Sequence, residues 1–490
     1  MIASELAPYS KTGGLADVAS ALPKALGRAG HRVTVVTPRY RGIAAGTWRA
    51  DVQATVGGHT FAAGLWEEPL GPGARALFVD CPPLYDREGL YNTHQVDFED
   101  NPLRFAFLSI AALEWLASAA DGPVDVVHGH DWQAGLTGAY LSQHFARHPT
   151  VGRLPFVFTI HNLAYQGPAD KSWLPRLGLG WDLFTVHGLE FWDHLSFLKA
   201  GVNFSDAVTT VSPTYADEIQ RPEYGFGFDG VIRARASALT GILNGIDVDA
   251  WDPAHDPYLP EPFSAAAPAG KAAAKRAVLE AFGLPAGPDT LARPLIGLVS
   301  RLVDQKGFDL VAQVAERLVD RGPAFLVLGT GDGRYEHLWR MLSARRPETV
   351  GVHIGFDERL AHLVEGGADM FLMPSRYEPC GLNQMYSQRY GTVPIVRATG
   401  GLVDSVTPWN AETKRGTGFL FSEYTGQAML GAVDEAIGTF AAPADWRRLQ
   451  RNGMKADFSW DRSARAYVTV YKGVIAARRP RRQRASAPRT

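Results

Sequence analysis

Short apolar runs alternate with amphipathic stretches along almost the whole chain. Short apolar runs that end in turn or polar residues are typical of buried strands. Strands that alternate with helical patterns indicate a parallel sheet covered by helices on both faces. The strands predicted in the first half are Val33–Thr37, Val124–Val127, Phe156–Ile160 and Ala207–Val211, and those predicted in the second half are Leu295–Ser300, Ala324–Leu328, Val350–Ile354, Met370–Met373 and Val393–Val396.

The two groups of strands indicate two α/β domains, each doubly wound and Rossmann-like. A Pro/Ala/Gly-rich stretch over residues 252–270 lies between them and contains two Asp-Pro pairs, which favour turns. We place the domains at residues 1–243 and 244–460, followed by a helix over 461–477 and a basic tail over 478–490. Open sheets of this kind bind ligands at the carboxyl ends of their strands. Candidate functional residues are therefore expected in the segments that follow predicted strands.

A glycine loop follows the first short apolar segment, Met1–Ala3. It contains Lys11, Gly13 and Gly14 and opens a helix with an apolar stripe over residues 15–26. Adjacent glycines let the backbone approach a ligand, while free N–H groups and the helix dipole favour an anion such as phosphate. Lys11 adds a mobile positive charge. The pattern is neither G-x-G-x-x-G nor a Walker motif, so a plain glycine turn with a surface lysine is the alternative.

Two cations and a glutamate follow strands of the second half. Arg301 and Lys306 come after Leu295–Ser300. If negative charge builds up on a phosphate group as it departs, fixed cations beside it stabilise the transition state more than the ground state. Such side chains can do this without a metal; the alternative is two solvated surface charges. Glu378 follows Met370–Met373 and precedes a predicted helix over 382–390, where a carboxylate could accept a hydrogen bond from a hydroxyl group of a ligand.

Composition removes several classes of function. The chain has 490 residues, 46% of them hydrophobic and 20% charged, which is typical of a soluble globular protein. A net charge of −2 gives no general attraction to nucleic acid, although residues 478–490 contain six arginines and should form a disordered tail. Cys81 and Cys380 are too few for a disulfide scaffold and fit a reducing compartment.

The chain shows no apolar run long enough to span a membrane, because Glu114 interrupts the longest one, near residues 109–120. We therefore expect a cytoplasmic protein without a membrane partner. The first strand is unusual, since only Met1–Ala3 precede the glycine loop where a strand of about five residues is typical. Either the start is misassigned or the strand is truncated, and we favour a misassigned start because the loss of a central parallel strand would be costly to the fold.

Seven ordered motifs resemble bacterial glycogen synthases and plant starch synthases. They are K-T-G-G-L-A-D-V (11–18), H-G-H-D-W (128–132), H-N-L-A-Y-Q-G (161–167), S-P-T-Y-A (212–216), L-N-G-I-D (243–247), S-R-L-V-D-Q-K-G (300–307) and P-S-R-Y-E-P-C-G-L-N-Q (374–384). The resemblance runs from residue 3 to about residue 471. It implies the GT-B glycosyltransferase architecture, two doubly wound domains facing across a cleft that holds the active site, with the last helix crossing back to the first domain.

The resemblance also implies roles for individual residues. His161 is expected against the donor sugar, and Asp131 beside it contacts the acceptor or stabilises positive charge at the anomeric carbon. Phe356 is expected to stack on the adenine of the donor, a core phenylalanine being the alternative. The implied catalytic set is Glu378, His161, Asp131, Arg301 and Lys306, and the implied donor-binding set is Lys11, Gly13, Gly14, Arg301, Lys306, Phe356, Glu378, Cys380, Gly381, Leu382 and Asn383.

Three further features refine this interpretation. Tyr386 stands where many GT-B enzymes carry a second glutamate that holds ribose, and bacterial-type glycogen synthases depart there as well. Cys380 lacks an obvious histidine base and is expected to form part of the binding wall. Because aromatic faces can stack on glucose rings, Trp132 and Trp173 are the tryptophans that we would test for contact with glucan.

The reaction implied by the resemblance is transfer of glucose from ADP-glucose to the non-reducing end of an α-1,4-glucan, glycogen or maltodextrin. The configuration at the anomeric carbon is retained, the leaving phosphate helps to deprotonate the acceptor, and no cofactor or metal is needed. One alternative is a UDP-glucose-dependent GT-B enzyme with another, small acceptor. The other is a glucan-binding protein that has lost catalysis, against which the intact Lys11, Arg301, Lys306 and Glu378 argue.

Overall fold

The computed structural model describes residues 1–93, 96–118 and 122–478. The chain forms two compact units. The first comprises Met1–Val211, Ala216–Ile242 and the segment from Trp460 onward, and the second comprises Ser212–Tyr215 and Leu243–Ser459. The predicted boundaries at residues 243 and 460 stay predictions. Apart from Arg478, the predicted basic tail lies outside the described residues.

The first unit contains a mixed sheet with several small additions. The strands are β1 (Val33–Pro38), β2 (Thr47–Val56), β3 (His59–Gly71), β4 (Ala74–Asp80), β5 (Asn92–Thr93), β6 (Val96–Asp97), β7 (Val127–His130), β8 (Phe156–Ile160), β9 (Pro168–Asp170), β10 (Glu190–Phe191), β11 (His194–Ser196), β12 (Ala207–Thr210) and β13 (Leu239–Gly241). Two four-stranded rows, β1-β4-β3-β2 and β13-β12-β8-β7, form its main sheet.

Residues 1–3 join these two rows. Ile2 forms parallel bridges with Val36 of β1 on one side and with Gly129 of β7 on the other. The Ile2 N–H donates to His128 O at 2.8 Å, and the His130 N–H donates to Ile2 O at 3.0 Å. The first segment of the chain therefore lies between β1 and β7. The strand order of the sheet reverses at this point. The glycine loop leaves the sheet here, next to the end of β7.

Two features of this sheet differ from the sequence prediction. The strand predicted at Val124–Val127 is β7, Val127–His130, because its backbone pairs with β8 through residues 127–130 and buries both histidines. His128 and His130 therefore lie inside the strand, and only Asp131 and Trp132 follow it. The antiparallel strands β2 and β3 and their pairing with β4 were not predicted, although buried residues alternate along β2.

The helices of the first unit cover this sheet. They are α1 (Gly14–Arg28), α2 (Pro82–Tyr85), α3 (Asn101–Ala117), α4 (Thr137–Gln143), α5 (Trp173–Arg176), α6 (Phe197–Asn203), α7 (Pro213–Glu218, beginning in the segment 212–215), α8 (Pro222–Gly225), α9 (Asp229–Ala234) and α19 (Trp460–Arg478). The apolar stripe of α1 packs against α19, where Trp460, Ala464 and Tyr467 are buried. Leu15 and Ala19, at the start of α1, pack instead with Val35, Ala76 and Phe78, and this burial fixes the end of the helix that follows the glycine loop.

The second unit is built around one parallel sheet. Its strands are β14 (Leu295–Val299), β15 (Ala324–Gly329), β16 (Val350–Ile354), β17 (Met370–Met373), β18 (Val393–Arg397) and β19 (Phe419–Phe421). Their spatial order is β16-β15-β14-β17-β18-β19, and every pair is parallel. This is the order of a doubly wound dinucleotide-binding fold, with the reversal between β14 and β17.

Helices cover both faces of this sheet. They are α10 (Gly270–Ala281), α11 (Pro288–Ala292), α12 (Phe308–Val319), α13 (Gly333–Arg345), α14 (Glu358–Gly367), α15 (Asn383–Arg389), α16 (Gly400–Ser405), α17 (Gly426–Phe440) and α18 (Pro443–Met454). One apolar core packs α12, α13, α17 and α18 on one face, and a second core packs α10 and α14 on the other. The predicted α/β class is confirmed. Among the described residues, no helix combines the length and apolar character needed to cross a bilayer.

Candidate active site

Lys306 and Glu378 meet where the strand order of the second unit reverses. Lys306 follows β14 and Glu378 follows β17, and Lys306 Nζ lies 2.6 Å from Glu378 Oε2. Glu378 is buried, and its Oε2 also accepts a hydrogen bond from Ser375 Oγ at 3.0 Å. Loops that leave neighbouring strands in opposite directions open a crevice at this point of the sheet. The structure thus brings together two of the residues that the sequence placed in one site.

Gly307 allows the Lys306 loop to lie against the loop from β17. Its φ is +79°, a conformation that favours glycine. A Cβ at this position would lie 2.0 Å from the carbonyl oxygen of Pro374. The short 3₁₀ turn that ends at Lys306 therefore depends on glycine as the next residue, and the distance between Lys306 and Glu378 depends on that turn.

Arg301 follows the same strand but reaches the protein surface. Its side chain is exposed, and its Nη2 donates to Gln305 Oε1 at 3.1 Å. Gln305 in turn accepts a backbone hydrogen bond from Arg376 at 2.9 Å. The guanidinium therefore belongs to the same loop pair as Lys306, in a more solvated environment.

The E-P-C-G-L segment forms a tight turn before α15. Gly381 has φ +72°, and the side chain of Asn383 donates to Val299 O of β14 at 2.9 Å. This bond ties the start of α15, which follows Leu382, to the end of β14. Cys380 is buried, and burial raises the pKa of its thiol to about 12. The group is a neutral thiol at pH 7, which is consistent with a place in the wall of the site rather than a nucleophile.

A second pair of glycines was missed by sequence reasoning. Gly400 and Gly401 follow β18 and begin α16, and the Gly401 N–H donates to Glu378 O at 3.1 Å. A Cβ at Gly401 would lie 2.2 Å from Cys380 O. Glycine is required here because two backbones approach closely. The signal was present in the sequence, since two glycines open a helix after a strand, as Gly13 and Gly14 do.

The S-P-T-Y-A segment is held against this turn. Ser212 Oγ donates to Pro379 O at 2.7 Å, and Thr214 Oγ1 donates to Asp404 Oδ1 at 2.8 Å. The motif therefore supports the backbone that carries Glu378 and Cys380.

Phe356 lies on the surface after β16. Its side chain is 83% exposed, so the alternative of a core phenylalanine is wrong. β16 ends at the same sheet edge as β14, which carries Arg301 and Lys306. Stacking of Phe356 on adenine stays a prediction.

The glycine loop of the first unit differs from the prediction of free N–H groups. The N–H groups of Thr12 and Gly13 donate to Glu5 Oε2 at 2.7 and 3.3 Å, and Tyr91 OH donates to Glu5 Oε1 at 2.7 Å. Because Glu5 is buried, its carboxylate holds the loop in place from within. Lys11 Nζ is paired with Asp17 at 2.7 Å and is half exposed.

Gly13 does not adopt a backbone conformation that requires glycine, and the space beside its Cα is open. Its φ of −158° is ordinary extended backbone, and no heavy atom of the described residues lies within 4 Å of the place a Cβ would occupy. Packing within the described fold therefore does not require glycine at this position. A close approach by a ligand backbone or phosphate would.

Asp131 and His161 lie together at the ends of β7 and β8. Asp131 Oδ1 accepts the His161 N–H at 2.7 Å, and the ring nitrogens His161 Nε2 and His130 Nδ1 are 3.0 Å apart. Burial raises the pKa of Asp131 to about 7, against the opposing effect of backbone N–H groups. Burial also lowers the pKa of His161 to about 3, so its imidazole is neutral at pH 7.

Asp131 is also held in an unusual backbone conformation, with φ +56° and ψ −178°. Such residues cluster at functional sites, where surrounding structure maintains them. The strain is maintained here by the hydrogen bond from Asp131 N to Thr159 O at 2.9 Å together with that from His161.

The aromatic residues singled out from the sequence occupy packed positions. Trp173 is buried and stacks on Arg176, so it is not a free surface for a glucose ring. Trp132 contacts Phe105 and Phe197 and is partly buried. Tyr386 is buried and stacked on Trp251 at 3.8 Å, which makes it part of the support of α15.

The described residues contain no cluster of acidic and histidine side chains that could bind a divalent ion. No group of three or more His, Cys, Asp or Glu residues within residues 1–93, 96–118 and 122–478 is arranged to hold a metal ion. Asp247 and Asp249, two acidic residues separated by one position in the sequence, form a turn in which Asp247 Oδ1 accepts the Asp249 N–H at 3.1 Å.

Comparison with known proteins gives full-length matches. The family model of the starch synthase catalytic domain matches residues 1–234, and that of the glycosyl transferases group 1 matches residues 289–450. A glycogen synthase of Anaeromyxobacter dehalogenans (strain 2CP-1 / ATCC BAA-258) is 50% identical over 481 residues, which covers 97% of this chain and 99% of that protein. A glycogen synthase of Koribacter versatilis (strain Ellin345) is 46% identical over 482 residues, or 98% of each chain.

A solved structure extends this likeness to three dimensions. The catalytic domain of starch synthase IV from Arabidopsis thaliana, bound to ADP and acarbose, matches with a TM-score of 0.88 and 32% identity, covering 97% of this chain and 98% of that one. The parallel sheets, and the charged and glycine-rich loops at their strand ends, define a glycosyltransferase of the GT-B class. Within that class, the chain belongs to the family of glycogen and starch synthases, and its function is glucosyl transfer in glycogen synthesis.

Proposed function

We propose that the protein transfers glucose from ADP-glucose to the non-reducing end of an α-1,4-glucan, with retention at the anomeric carbon. The observation that carries this proposal is the Lys306–Glu378 pair, 2.6 Å apart at the reversal point of the sheet in the second unit. A nucleoside diphosphate suits such a place because strand-end loops surround it. The likeness to a starch synthase IV bound to ADP and acarbose supports the same donor and a glucan acceptor.

The second unit would hold the donor. Lys306 Nζ and the Arg301 guanidinium would stabilise the negative charge that builds on the diphosphate as the glycosidic bond breaks. Glu378 keeps Nζ in position and can accept a hydrogen bond from a sugar hydroxyl. The exposed ring of Phe356 supplies a flat apolar face for adenine.

The first unit would hold the reacting hexose and the acceptor. A neutral His161 can donate or accept a hydrogen bond without placing positive charge beside an anomeric carbon that is itself becoming positive. Asp131, when ionised, would stabilise that positive charge. No side chain need act as a nucleophile if the departing phosphate accepts the acceptor proton on the face from which it leaves.

The glycine loop would contribute a further contact to phosphate. Glu5 fixes its backbone, the open space at Gly13 allows close approach, and Lys11 supplies charge. The carboxylate of Glu5 already accepts the Thr12 and Gly13 N–H groups, so the contribution assigned to Lys11 is the larger one.

Donor kinetics test this proposal. Purified protein with glycogen as acceptor is assayed for transfer from labelled ADP-glucose and labelled UDP-glucose under identical conditions. We expect kcat/KM for ADP-glucose to exceed that for UDP-glucose at least tenfold. Equal or greater efficiency with UDP-glucose would contradict the donor assignment, and no transfer from either would contradict the proposed reaction.

A further inference from the structure

Two bulky aromatic residues stand on the surface of the first unit in left-handed backbone conformations. Trp192 has φ +53° and is 78% exposed, and Phe226 has φ +49° and is 41% exposed. A bulky residue at positive φ is an outlier, whereas glycine or asparagine adopts this conformation readily. The Trp192 ring makes an edge contact with Phe191, with ring centroids 6.1 Å apart, yet most of its surface stays exposed to solvent. Exposed rings on such turns present flat apolar surface on which a ligand can stack.

The two residues belong to one surface. Trp192 lies in the turn of the β10–β11 hairpin, next to Asp193, which also has positive φ at +62°. A Cβ at Gly227, the residue after Phe226, would lie 3.9 Å from Trp192 Nε1 and 3.7 Å from the ring of Phe191. Beneath them, Phe191 packs on Phe228 with ring centroids 4.2 Å apart. The turn of the hairpin and the Phe226 turn are therefore adjacent and share a packed base.

This surface continues into the loop that carries His161. Gln166 Nε2 donates to Phe226 O at 3.0 Å, and the neighbouring Tyr165 is 50% exposed. The loop ends at Gly167, where a Cβ would lie 2.5 Å from the ring of Trp132. Tyr165, Trp192 and Phe226 form what we term the aromatic platform. It is tied through one short loop to the candidate catalytic pair Asp131 and His161.

The chemistry of the platform fits a carbohydrate chain. The C–H faces of pyranose rings pack on aromatic rings, while their hydroxyl groups require donors and acceptors nearby. Gln166 and the Lys171–Asp193 pair, 2.7 Å apart, supply such groups at the rim. A protein partner would favour a more continuous apolar patch than three separated rings among polar groups.

We propose that the aromatic platform binds a glucan chain and delivers its non-reducing end toward the His161 loop. This inference rests on the proposed function, because it assigns the occupant from the glucan acceptor. It differs from the stacking on Trp132 and Trp173 expected from the sequence, since Trp173 is buried and Trp132 is packed.

Binding measured without donor tests the platform separately from catalysis. Wild type and variants are compared for retardation in native gels that contain glycogen and for calorimetric binding of maltoheptaose. Trp192→Asn and Phe226→Asn remove the rings but keep residues that tolerate positive φ, so their melting temperatures should be unchanged or higher. Each variant should weaken glucan binding about five- to tenfold, and Trp192→Tyr should retain most of it. Trp48→Ala, which removes an exposed tryptophan from β2, is the matched control and should bind as wild type does.

Kinetics complete the test. In the double variant Trp192→Asn/Phe226→Asn, we expect a KM for glycogen at least tenfold higher, with the KM for ADP-glucose unchanged. Unaltered glycogen binding and KM in this folded double variant would overturn the platform, whatever the donor preference. The platform would also be overturned if the Trp192 and Phe226 variants lost no more glucan binding than the Trp48→Ala control. If wild type binds maltoheptaose through the platform yet transfers no glucose, the proposed reaction fails while the platform stands.

Discussion

Removing Lys306 should damage both turnover and stability, whereas removing Arg301 should damage turnover alone. Lys306 Nζ is 2.6 Å from the buried carboxylate of Glu378, and Arg301 is an exposed side chain. In Lys306→Ala the Glu378 carboxylate stays buried without its cation. Breaking a fully buried ion pair in this way costs about 3–5 kcal/mol, and because Lys306 is partly exposed we expect about 2–3 kcal/mol.

For a unit of this size, that cost corresponds to a fall in melting temperature of roughly 5–10 °C. Loss of one preorganised positive charge at the diphosphate raises the barrier by about 3 kcal/mol, or about a hundredfold in kcat. Arg301→Ala should show a similar loss of kcat with a melting temperature within about 1 °C of wild type. Sequence alone predicts the loss of turnover for both variants. The ion pair between Lys306 and Glu378 further predicts that only Lys306→Ala lowers the melting temperature.

Thermal unfolding and steady-state kinetics of four proteins measure both effects. They are wild type, Arg301→Ala, Lys306→Ala and the double variant Lys306→Ala/Glu378→Gln. Neutralising Glu378 should restore most of the lost melting temperature without restoring kcat. The reasoning is refuted if Lys306→Ala melts as wild type does, or if the double variant regains activity.

Three further predictions follow from other parts of the site. Lys11→Ala should weaken ADP-glucose binding about tenfold by calorimetry, and Lys11→Gln should restore little, because an amide lacks the charge that opposes the diphosphate; equal affinity in all three proteins would return the loop to a plain glycine turn. The pKa of Asp131, raised to about 7 by burial, means that the folded state binds its proton more tightly than the unfolded state, so this group's stabilising contribution is lost as pH rises from about 4 through 7. The melting temperature of Asp131→Asn should therefore rise relative to that of wild type between pH 5 and pH 8. A difference in melting temperature that stays constant over this range would contradict the raised pKa. Activity should persist in excess EDTA, because the diphosphate is assigned to Lys306 and Arg301, and loss restored by magnesium or manganese would show that the assignment is wrong.

The fold of the second unit was predictable because most residues of its strands are buried, so that each strand forms a short apolar run. The apolar runs at Val350–Ile354 and Met370–Met373 match β16 and β17 residue for residue. Strand order was not readable from these runs, and it is the order that brings Lys306 to Glu378. The first unit was harder, because β7 contains two buried histidines that resemble a polar strand end, and because β2 and β3 leave one face exposed.

The candidate site shows the same division. Motif positions gave Lys306, Glu378, Asp131 and His161, since each lies at or after the end of a strand. Sequence could not show that Glu5 occupies the N–H groups of the glycine loop, because that contact depends on a buried carboxylate from a separate turn. The aromatic platform was also hidden, since exposure and positive φ at Trp192 and Phe226 have no signature in the apolar pattern.

Analysis of the product tests the central claim most directly. Labelled ADP-glucose is incubated with the protein and glycogen, and the polymer is then digested with β-amylase, which releases maltose from the non-reducing ends of α-1,4 chains. The account predicts incorporation of label and its release almost entirely as maltose, since each glucose is added at a non-reducing end in the α configuration. Label that resists β-amylase, or failure of the polymer to acquire label from ADP-glucose, would contradict it.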